Sequence, residues 1–547
     1  AYCHNRFANC LDEEGEPEEA RGHRERAWAI QRAILHTLLP SMSSAEQFAF
    51  LRDRAAEVAP FLRAFQADAR KTYSAALLWK GASLRIGCAA LRLPVDASPE
   101  DRALTESLRQ RRGELSRWVL APPGIGPEDG SAQKRCAQLS KEIEDLERRI
   151  ALRVPEFALR SFLDSDIEDV LSALPEKAAL LDVLEIEGRL YAWVLRRGAE
   201  VRGFELGVAS DMASLVASFR EALENDQEAN WRSAGSALRA RLEGPLSTAV
   251  ESCDTLYLSP DGALATVPWG LLPDGDGFLV EHVTVVHVMS GAGLVLSSRG
   301  ANAAHGEGLL AIGDVEYAGL NPAPPPLPET QAELERVTAL FAGGQTCRLT
   351  GRNASEADFD RRAPEARYLH VATHGFFDLA NLRVAVAGAR GFGGKQMSEP
   401  ILEAVAQRVR PMRGRNPLLL SGFVLAPGEG QDGWLTAEEL QSLDLRGVEL
   451  VVLSACETGR GELAAGEGVL GLSRALAVAG ARGFMLSLWK VPDAETRELM
   501  EGFYAALWTD SLPPEEALRR AQLRMLSRAR ETKAFRPSTW GAWVLTK

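Results

Sequence analysis

Two apolar runs in this sequence each end in a residue able to do acyl chemistry. Tyr368-Leu-His-Val-Ala-Thr-His374-Gly375 reads as a buried strand that delivers a histidine and then a glycine into a loop. Leu450-Val-Val-Leu-Ser-Ala-Cys456-Glu-Thr-Gly459 does the same with a cysteine. A thiol attacks carbonyl carbon as its thiolate, and a histidine within hydrogen-bond reach can take its proton. The resulting tetrahedral oxyanion needs N–H donors. The amides of Gly375 and Cys456 stand at suitable positions for that role, and a glycine lets a substrate carbonyl come close to the backbone. Either residue alone has a plainer explanation, since a strand-end cysteine is commonly a small buried side chain. It is their occurrence in matching settings that raises the catalytic reading.

The remaining cysteines fit the role less well. Cys88 and Cys136 fall in helical stretches, Cys253 and Cys347 lie beside or inside expected strands with no neighbouring histidine, and Cys3 and Cys10 sit in an N-terminal stretch without a clear assignment. Seven scattered cysteines without a CxxC pair argue for a reducing compartment, and against a disulfide framework or a thiolate zinc site. His370 lies four residues before His374, so on a strand both would share one face. No acidic third ligand stands at a recognisable spacing, and no metal or cofactor is expected.

The elements that must position these residues follow from periodicity. Residues 1–160 read as amphipathic helices: Arg26–Leu39, Ser44–Phe65, Arg70–Leu91, Pro99–Leu120 with Ser98 as its cap, and Ala132–Arg153 after a turn-rich break at Ala121–Gly130. No clean 34-residue period marks them as repeats. A strand meander is expected at Ala179–Glu187, Leu190–Arg196 and Val201–Leu206, then helices at Asp211–Glu224 and Ala229–Glu251 and a strand at Thr255–Ser259. Strands then alternate with helices: strands at Leu309–Gly313, Thr346–Leu349, Arg367–Ala372, Leu418–Leu425, Val448–Ser454 and Gly483–Leu488. The expected helices are Glu329–Phe341, Ala354–Arg361, Thr436–Leu443, Glu467–Ala479, Asp493–Trp508 and Pro514–Ala529, and Pro322–Pro328 reads as a surface link. Such alternation implies a mainly parallel sheet covered on both faces, whose reactive groups gather at the carboxyl ends of its strands.

Composition bounds the possibilities. Lys and Arg total 62 against 75 Asp and Glu, a net charge of −13, which is a poor default for binding nucleic acid except through a partner. No apolar run is long enough to span a bilayer, and the first residues lack a secretory signal plan. The expectation is therefore a cytoplasmic protein. The sequence begins at Ala1 rather than Met, which leaves open whether the natural chain extends upstream.

At these residues the sequence resembles the CHAT family, caspase-like cysteine peptidases related to separases and often fused to TPR helices. The resemblance spans roughly Ser161 to Lys547. It rests on an ordered series: LYLSPDGALATVPWGLL (Leu256–Leu272), YLHVATHGFFD (Tyr368–Asp378), LVVLSACETGRGE (Leu450–Glu462), GEGVLGLSRALAVAGARGFMLSLWKVPDAET (Gly466–Thr496), FYAAL (Phe503–Leu507), EEALRRAQ (Glu515–Gln522) and STWGAWVL (Ser538–Leu545). The resemblance implies a caspase-like α/β fold at 161–547, with a non-catalytic front half at about 161–300 and a catalytic half at about 301–547, preceded by a TPR-like all-α segment at 1–160. It implies a dyad of His374 as general base and Cys456 as nucleophile, with Gly375 and the Cys456 amide as oxyanion donors. It further implies cleavage of a protein substrate through a thioester, with activation by a sensor or effector protein in a bacterial defence or cell-death setting.

Two stretches stay open at this level. The connection Leu379–Asn416 is longer than the family's usual one and carries seven Arg or Lys residues against Glu399 and Glu403, so it reads either as a solvated loop or as a regulatory flap or docking surface for an acidic partner. Asp493 is a candidate for the specificity pocket by analogy with separases, where an acid in this neighbourhood receives a basic residue. It is equally placed to cap the helix that starts at Ala494. The alternative function is a scaffold that binds partners through the helices and the caspase-like domain without cutting them.

Overall fold

In this computed structural model the described residues are 1–90, 98–120, 131–153, 164–226, 228–300, 305–320, 323–377, 416–428, 430–455, 461–464, 468–532 and 535–547. Among the described residues the chain opens with seven helices: α1 (Tyr2–Glu14), α2 (Pro17–Thr37), α3 (Ser44–Ala64), α4 (Ala69–Trp79), α5 (Ala82–Ala90), α6 (Pro99–Leu120) and α7 (Ser131–Ala151). Their starts follow local chemistry. Ser43 and Glu46 form a capping box on α3, and the Asp101 amide donates to the Ser98 hydroxyl at the start of α6. The single helix expected over Arg70–Leu91 is two, because Gly81 takes a left-handed φ of 64° that breaks the run. Cys3 and Cys10, left unassigned by the sequence, are exposed on α1. The break at 121–130 lies outside the described residues.

After α8 (Ile167–Ala173) come the meander β1 (Ala178–Ile186), β2 (Arg189–Arg196) and β3 (Arg202–Val208), and helices α9 (Ala209–Glu224), α10 (Glu228–Arg241) and α11 (Glu243–Val250). Next are β4 (Thr255–Ser259), the small hairpin β5 (Pro273–Asp274) and β6 (Gly277–Phe278), α12 (Leu279–His282), β7 (Thr284–His287) and α13 (Gly291–Gly300). The alternating half has β8 (Leu309–Val315), α14 (Glu329–Leu340), β9 (Thr346–Gly351), α15 (Glu356–Arg362), β10 (Tyr368–Ala372), β11 (Gly375–Phe377), β12 (Ser421–Val424), β13 (Trp434–Thr436) and α16 (Ala437–Leu440). It ends with β14 (Leu450–Ser454), β15 (Gly461–Ala464), β16 (Gly468–Gly471), α17 (Leu472–Ala479), β17 (Phe484–Ser487), α18 (Asp493–Tyr504), α19 (Pro514–Thr532) and β18 (Trp543–Thr546).

Among the described residues eleven strands form one sheet in the order β3-β2-β1-β4-β7-β18-β17-β14-β10-β8-β9. It is a mainly parallel sheet with helices on both faces, so the α/β expectation holds. The pairs β1–β4, β4–β7 and β7–β18 are parallel, as are β17–β14, β14–β10, β10–β8 and β8–β9. Between the two blocks, β17 and β18 run antiparallel. The sheet is thus two parallel blocks of opposite direction, joined by β18 and extended at one edge by the antiparallel meander β1–β2–β3, and the carboxyl ends of β10, β14 and β17 all open on one edge.

Alternation along β10 shows how the core holds this edge. Leu369 and Val371 pack with Phe359, Leu440, Leu472 and Leu476 on one face. Tyr368 and Ala372 join Leu334, Val337, Leu499 and Phe503 on the other. Three boundaries depart from the sequence expectation. The strand expected at Leu418–Leu425 begins as a 3-10 turn at Pro417–Leu420 and becomes β12 only from Ser421, since Pro417 fixes its own φ at the start of that turn. The helix expected over Glu467–Ala479 starts at Leu472, because Gly468–Gly471 pairs instead with β15. The helix expected over Ala229–Glu251 is split into α10 and α11.

Candidate active site

The carboxyl ends of β10, β14 and β17 border a cleft of about 270 Å³. Thr373 and His374 follow β10 into it, Ser454 and Ala455 enter from β14, and Ser487 from β17. The opposite wall is the first turns of α14 and α18, with Glu329, Thr330 and Glu333 on one and Asp493 and Thr496 on the other. Two helix N-termini therefore point at the cleft, and Glu329 and Asp493 answer their partial positive charge.

His374 is held from both sides. Its Nε2 lies 2.7 Å from the Pro325 carbonyl oxygen. A carbonyl has no proton to give, so Nε2 carries the hydrogen and the lone pair of the neutral ring is on Nδ1. The Tyr317 ring packs 5.2 Å from the imidazole, centroid to centroid. The residue before it is pinned too: the Thr373 hydroxyl donates to the Val424 carbonyl at 2.5 Å and, having spent its hydrogen, accepts from Tyr317 at 2.8 Å. Burial pushes the His374 pKa below its ordinary value, the Pro325 contact pushes it up, Lys490 lowers it and Asp493 raises it. The net result is a ring that stays neutral, as a base must.

Gly375 opens β11, paired antiparallel to β12. The Val424 amide donates to the His374 carbonyl at 2.8 Å, which makes His374–Val424 a hydrogen-bonded pair of this ladder. Such pairs alternate with non-hydrogen-bonded ones. Gly375, opposite Phe423, therefore turns its N–H away from β12.

Cys456 lies outside the described residues, as do residues 379–415 of the basic connection. Ala455, immediately before Cys456, lines the cleft, and its carbonyl accepts from the Ser487 hydroxyl at 2.9 Å. Asp493 is the first residue of α18, whose cap position is Pro492, with no side-chain cap bond. The capping alternative is thus corrected: the helix begins one residue early and Asp493 stands exposed at the rim of the cleft, beside His374. Cys88, Cys136, Cys253 and Cys347 are partly or wholly buried and do not line the cleft.

His370 does not join His374. It is fully buried on β10, with Nδ1 2.9 Å from the Tyr504 hydroxyl and Nε2 3.2 Å from Glu333 Oε1. Among the described residues no group of three or more His, Cys, Asp or Glu side chains could hold a metal ion, and no helix is long and apolar enough to cross a membrane.

Pro325, Tyr317, Thr373 and Ser487 escaped the sequence reading. Pro322–Pro328 reads as a surface link, yet its carbonyl fixes the histidine. Proline favours such a use, because its φ is preset and it brings no N–H of its own.

A family model described as the CHAT domain matches residues 232–546, more than half of the chain. The chain belongs to the CHAT domain family. The match begins after the meander, although β1–β3 are continuous with the CHAT domain's sheet. Tetratricopeptide repeat protein 28 of Mus musculus is 37% identical over 113 residues, 20% of this chain and 4% of that protein. Its Homo sapiens counterpart is 35% identical over 116 residues, 21% of this chain and 4% of that one. The chain thus spans only about 4% of the length of these curated relatives. Among solved structures, separase in the Saccharomyces cerevisiae separase–securin complex aligns with 99% of this chain and 49% of its own, at 8% identity and a TM-score of 0.42. The Arg-specific cysteine proteinase gingipain R aligns with 62% of this chain and 74% of its own, at 9% identity and a TM-score of 0.33.

Proposed function

We propose that this CHAT protein is a cysteine endopeptidase acting on a protein substrate. The observation that carries the reading is the histidine setting: a half-buried imidazole at a strand end, its tautomer fixed by the Pro325 carbonyl, facing the cleft that Ala455 lines. In this reading the Nδ1 lone pair of His374 takes the Cys456 thiol proton. The thiolate then forms a C–S bond to the scissile carbonyl carbon, and the carbonyl oxygen becomes an oxyanion held by the Gly375 and Cys456 amides. Collapse expels the amine, which takes its proton from His374, and leaves a thioester. Water, deprotonated by His374, hydrolyses it and restores the thiol. No cofactor enters the scheme.

Asp493 at the cleft rim is the group we assign to substrate selection, with a basic side chain before the scissile bond as its complement. We further assign the protein to the cytoplasm, where Cys456 stays reduced, and its activation to a partner protein in a defence or cell-death response, with the helices as a docking platform.

The test is to treat a cell lysate with wild-type protein and with Cys456→Ala, then label and sequence new protein N-termini. The reading expects new termini with wild type alone. The same termini with Cys456→Ala would overturn it and favour a scaffold.

A further inference from the structure

Because β17 and β18 run antiparallel, strands finish on both edges of the sheet. The carboxyl ends of β10, β14 and β17 open on the cleft. Those of β7 and β18 open on the opposite edge, beside the amino end of β17. Ligands of open α/β sheets bind outside carboxyl strand ends, where the run of strands changes sense. The second edge holds a cavity of about 330 Å³, larger than the cleft and within the range of small-molecule sites, about 300–1,000 Å³. Met289 and Ser290 follow β7 into it, Lys547 follows β18, and Phe484 opens β17. Helix α5 of the N-terminal segment closes it with Leu84, Arg85 and Cys88.

Two properties define what fits. The walls are apolar: Leu84 and Phe484 are buried, and Met289, Leu296, Ala477 and Ala481 are half-buried. The charges are of one sign. Arg85, Arg446, Arg482 and Lys547 line the cavity, and among the described residues no Asp or Glu does. Arg85 is fully buried, its guanidinium turned onto the Leu77, Leu78 and Lys80 carbonyls. The other three keep contact with solvent, so they ring an apolar floor. Each is steadied by a residue that does not line the cavity: Arg446 by Asp444 at 2.7 Å, Lys547 by Glu515 at 2.6 Å and Arg482 by His305 at 3.0 Å.

We propose that this cavity binds a small amphipathic carboxylate, a fatty-acid-like molecule whose alkyl chain lies on the apolar floor and whose head is held by Arg446, Arg482 and Lys547. The floor gives a small hydrated anion little to touch, and the rim leaves a neutral hydrocarbon without the charged contacts that a carboxylate makes. The site is separate from the cleft and does not depend on the peptidase reading. Its occupant bridges α5 to α17 and β17, and so fastens the helical segment to the sheet.

Cys88 lines the cavity and serves as a reporter. The protein is alkylated with iodoacetamide in the presence of decanoate, 1-decanol or acetate, and peptide mass spectrometry reads the rate at Cys88 against the exposed Cys3 and Cys10. Decanoate should slow Cys88 saturably and leave Cys3 and Cys10 unchanged. Half-protection should need at least about tenfold more decanol, the scale of hydrogen bonds to a charged head, and acetate should not protect. The double variant Arg446→Met, Arg482→Met should need at least about tenfold more decanoate. A ligand of the folded state raises Tm, so decanoate should raise it in wild type and not in Ser297→Trp, which fills the cavity from α13. Equal protection by decanol would overturn the carboxylate, and equal protection by acetate would overturn the alkyl chain. An unprotected Cys88, an unmoved wild-type Tm, or a Tm rise that survives Ser297→Trp would overturn the site itself.

Discussion

The helical segment meets the α/β part of the molecule at two seams built on opposite principles. At the first, Lys80 and Asp182 are both buried and fully satisfied. Lys80 Nζ lies 2.7 Å from Asp182 Oδ1 and also reaches the Val183 and Ser259 carbonyls and the Ser259 hydroxyl, at 2.6 to 2.7 Å. The other Asp182 oxygen accepts from the Tyr73 hydroxyl at 3.0 Å and the Gly291 amide at 3.1 Å. Arg85 closes the end of α4 through the Leu77, Leu78 and Lys80 carbonyls. At the second seam acids outnumber their partners. Arg112 of α6 stands 2.8 Å from both Glu147 and Glu438, while Glu439, Asp432 and Glu356 crowd nearby. Burial outweighs the Arg112 pair and pushes Glu438 up to about 7; it pushes Glu439 up to about 8 and Glu356 and Asp432 upward. A buried ion pair with every lone pair answered is a fixed clamp, whereas a cluster of buried carboxyls that outnumbers Arg112 and Arg117 makes a seam that responds to pH.

The second seam also lies nearer the chemistry. Ser116 of α6 bonds Thr436 at 2.9 Å, and the Gly433 amide donates to Glu356 at 2.5 Å. The Leu425 amide donates to the Gly433 carbonyl at 2.7 Å, and the next residue back, Val424, holds the His374 carbonyl. Gly433 has a φ of 80°, and a Cβ there would lie 2.7 Å from the Leu425 oxygen.

The contrast can be broken by experiment. Lys80→Met leaves Asp182 as a buried carboxylate without its cation and should cost about 3–5 kcal/mol in urea unfolding; a smaller loss than that of Arg112→Met would reverse the ranking of the seams. Arg112→Met should cost about 2–3 kcal/mol, less because its acids can keep their protons, and the loss should grow from pH 6 to pH 8.

The sign for the seam acids follows from their raised values. Unfolded Glu438 and Glu439 titrate near 4.5. Their contribution is full below that pH and is lost as pH rises through about 7 and about 8. Between pH 6.5 and 8.5 wild type should lose about 3 kcal/mol, and Glu439→Gln should flatten that slope; an unchanged slope would show that Glu439 does not drive it. His287 works in the opposite sense. Burial pushes it down to about 4, so its contribution is full above 6.5 and is lost as pH falls toward 4. The smallest effect concerns the cleft. The acid limb of kcat/KM should lie below pH 6.5, shift further down in Asp493→Asn and shift up in Lys490→Met, following the directions in which each charge moves His374.

What the sequence makes legible follows the range of the forces involved. Strands β8, β10 and β14 are local apolar runs with punctuated ends, and they place His374 at a strand terminus from the sequence alone. Helix breaks at Gly81 and before Leu472 are not legible, because apolar spacing continues across them, while glycine conformation and pairing with β15 set the helix boundary. The antiparallel join of β17 to β18 has no local signature, since it pairs segments far apart in sequence. The atoms that set the site are the hardest to read. Pro325 and Ala455 act through carbonyl oxygens that every residue possesses, so only the fold reveals which ones are used.

The dyad itself is tested most directly by the rate at which iodoacetamide labels each of the seven cysteines, followed by peptide mass spectrometry in wild type and in His374→Ala. The account predicts that Cys456 is labelled fastest in wild type and at least about tenfold more slowly once its base is gone. Labelling of Cys456 at the rate of the exposed Cys3 and Cys10, unchanged by His374→Ala, would contradict it.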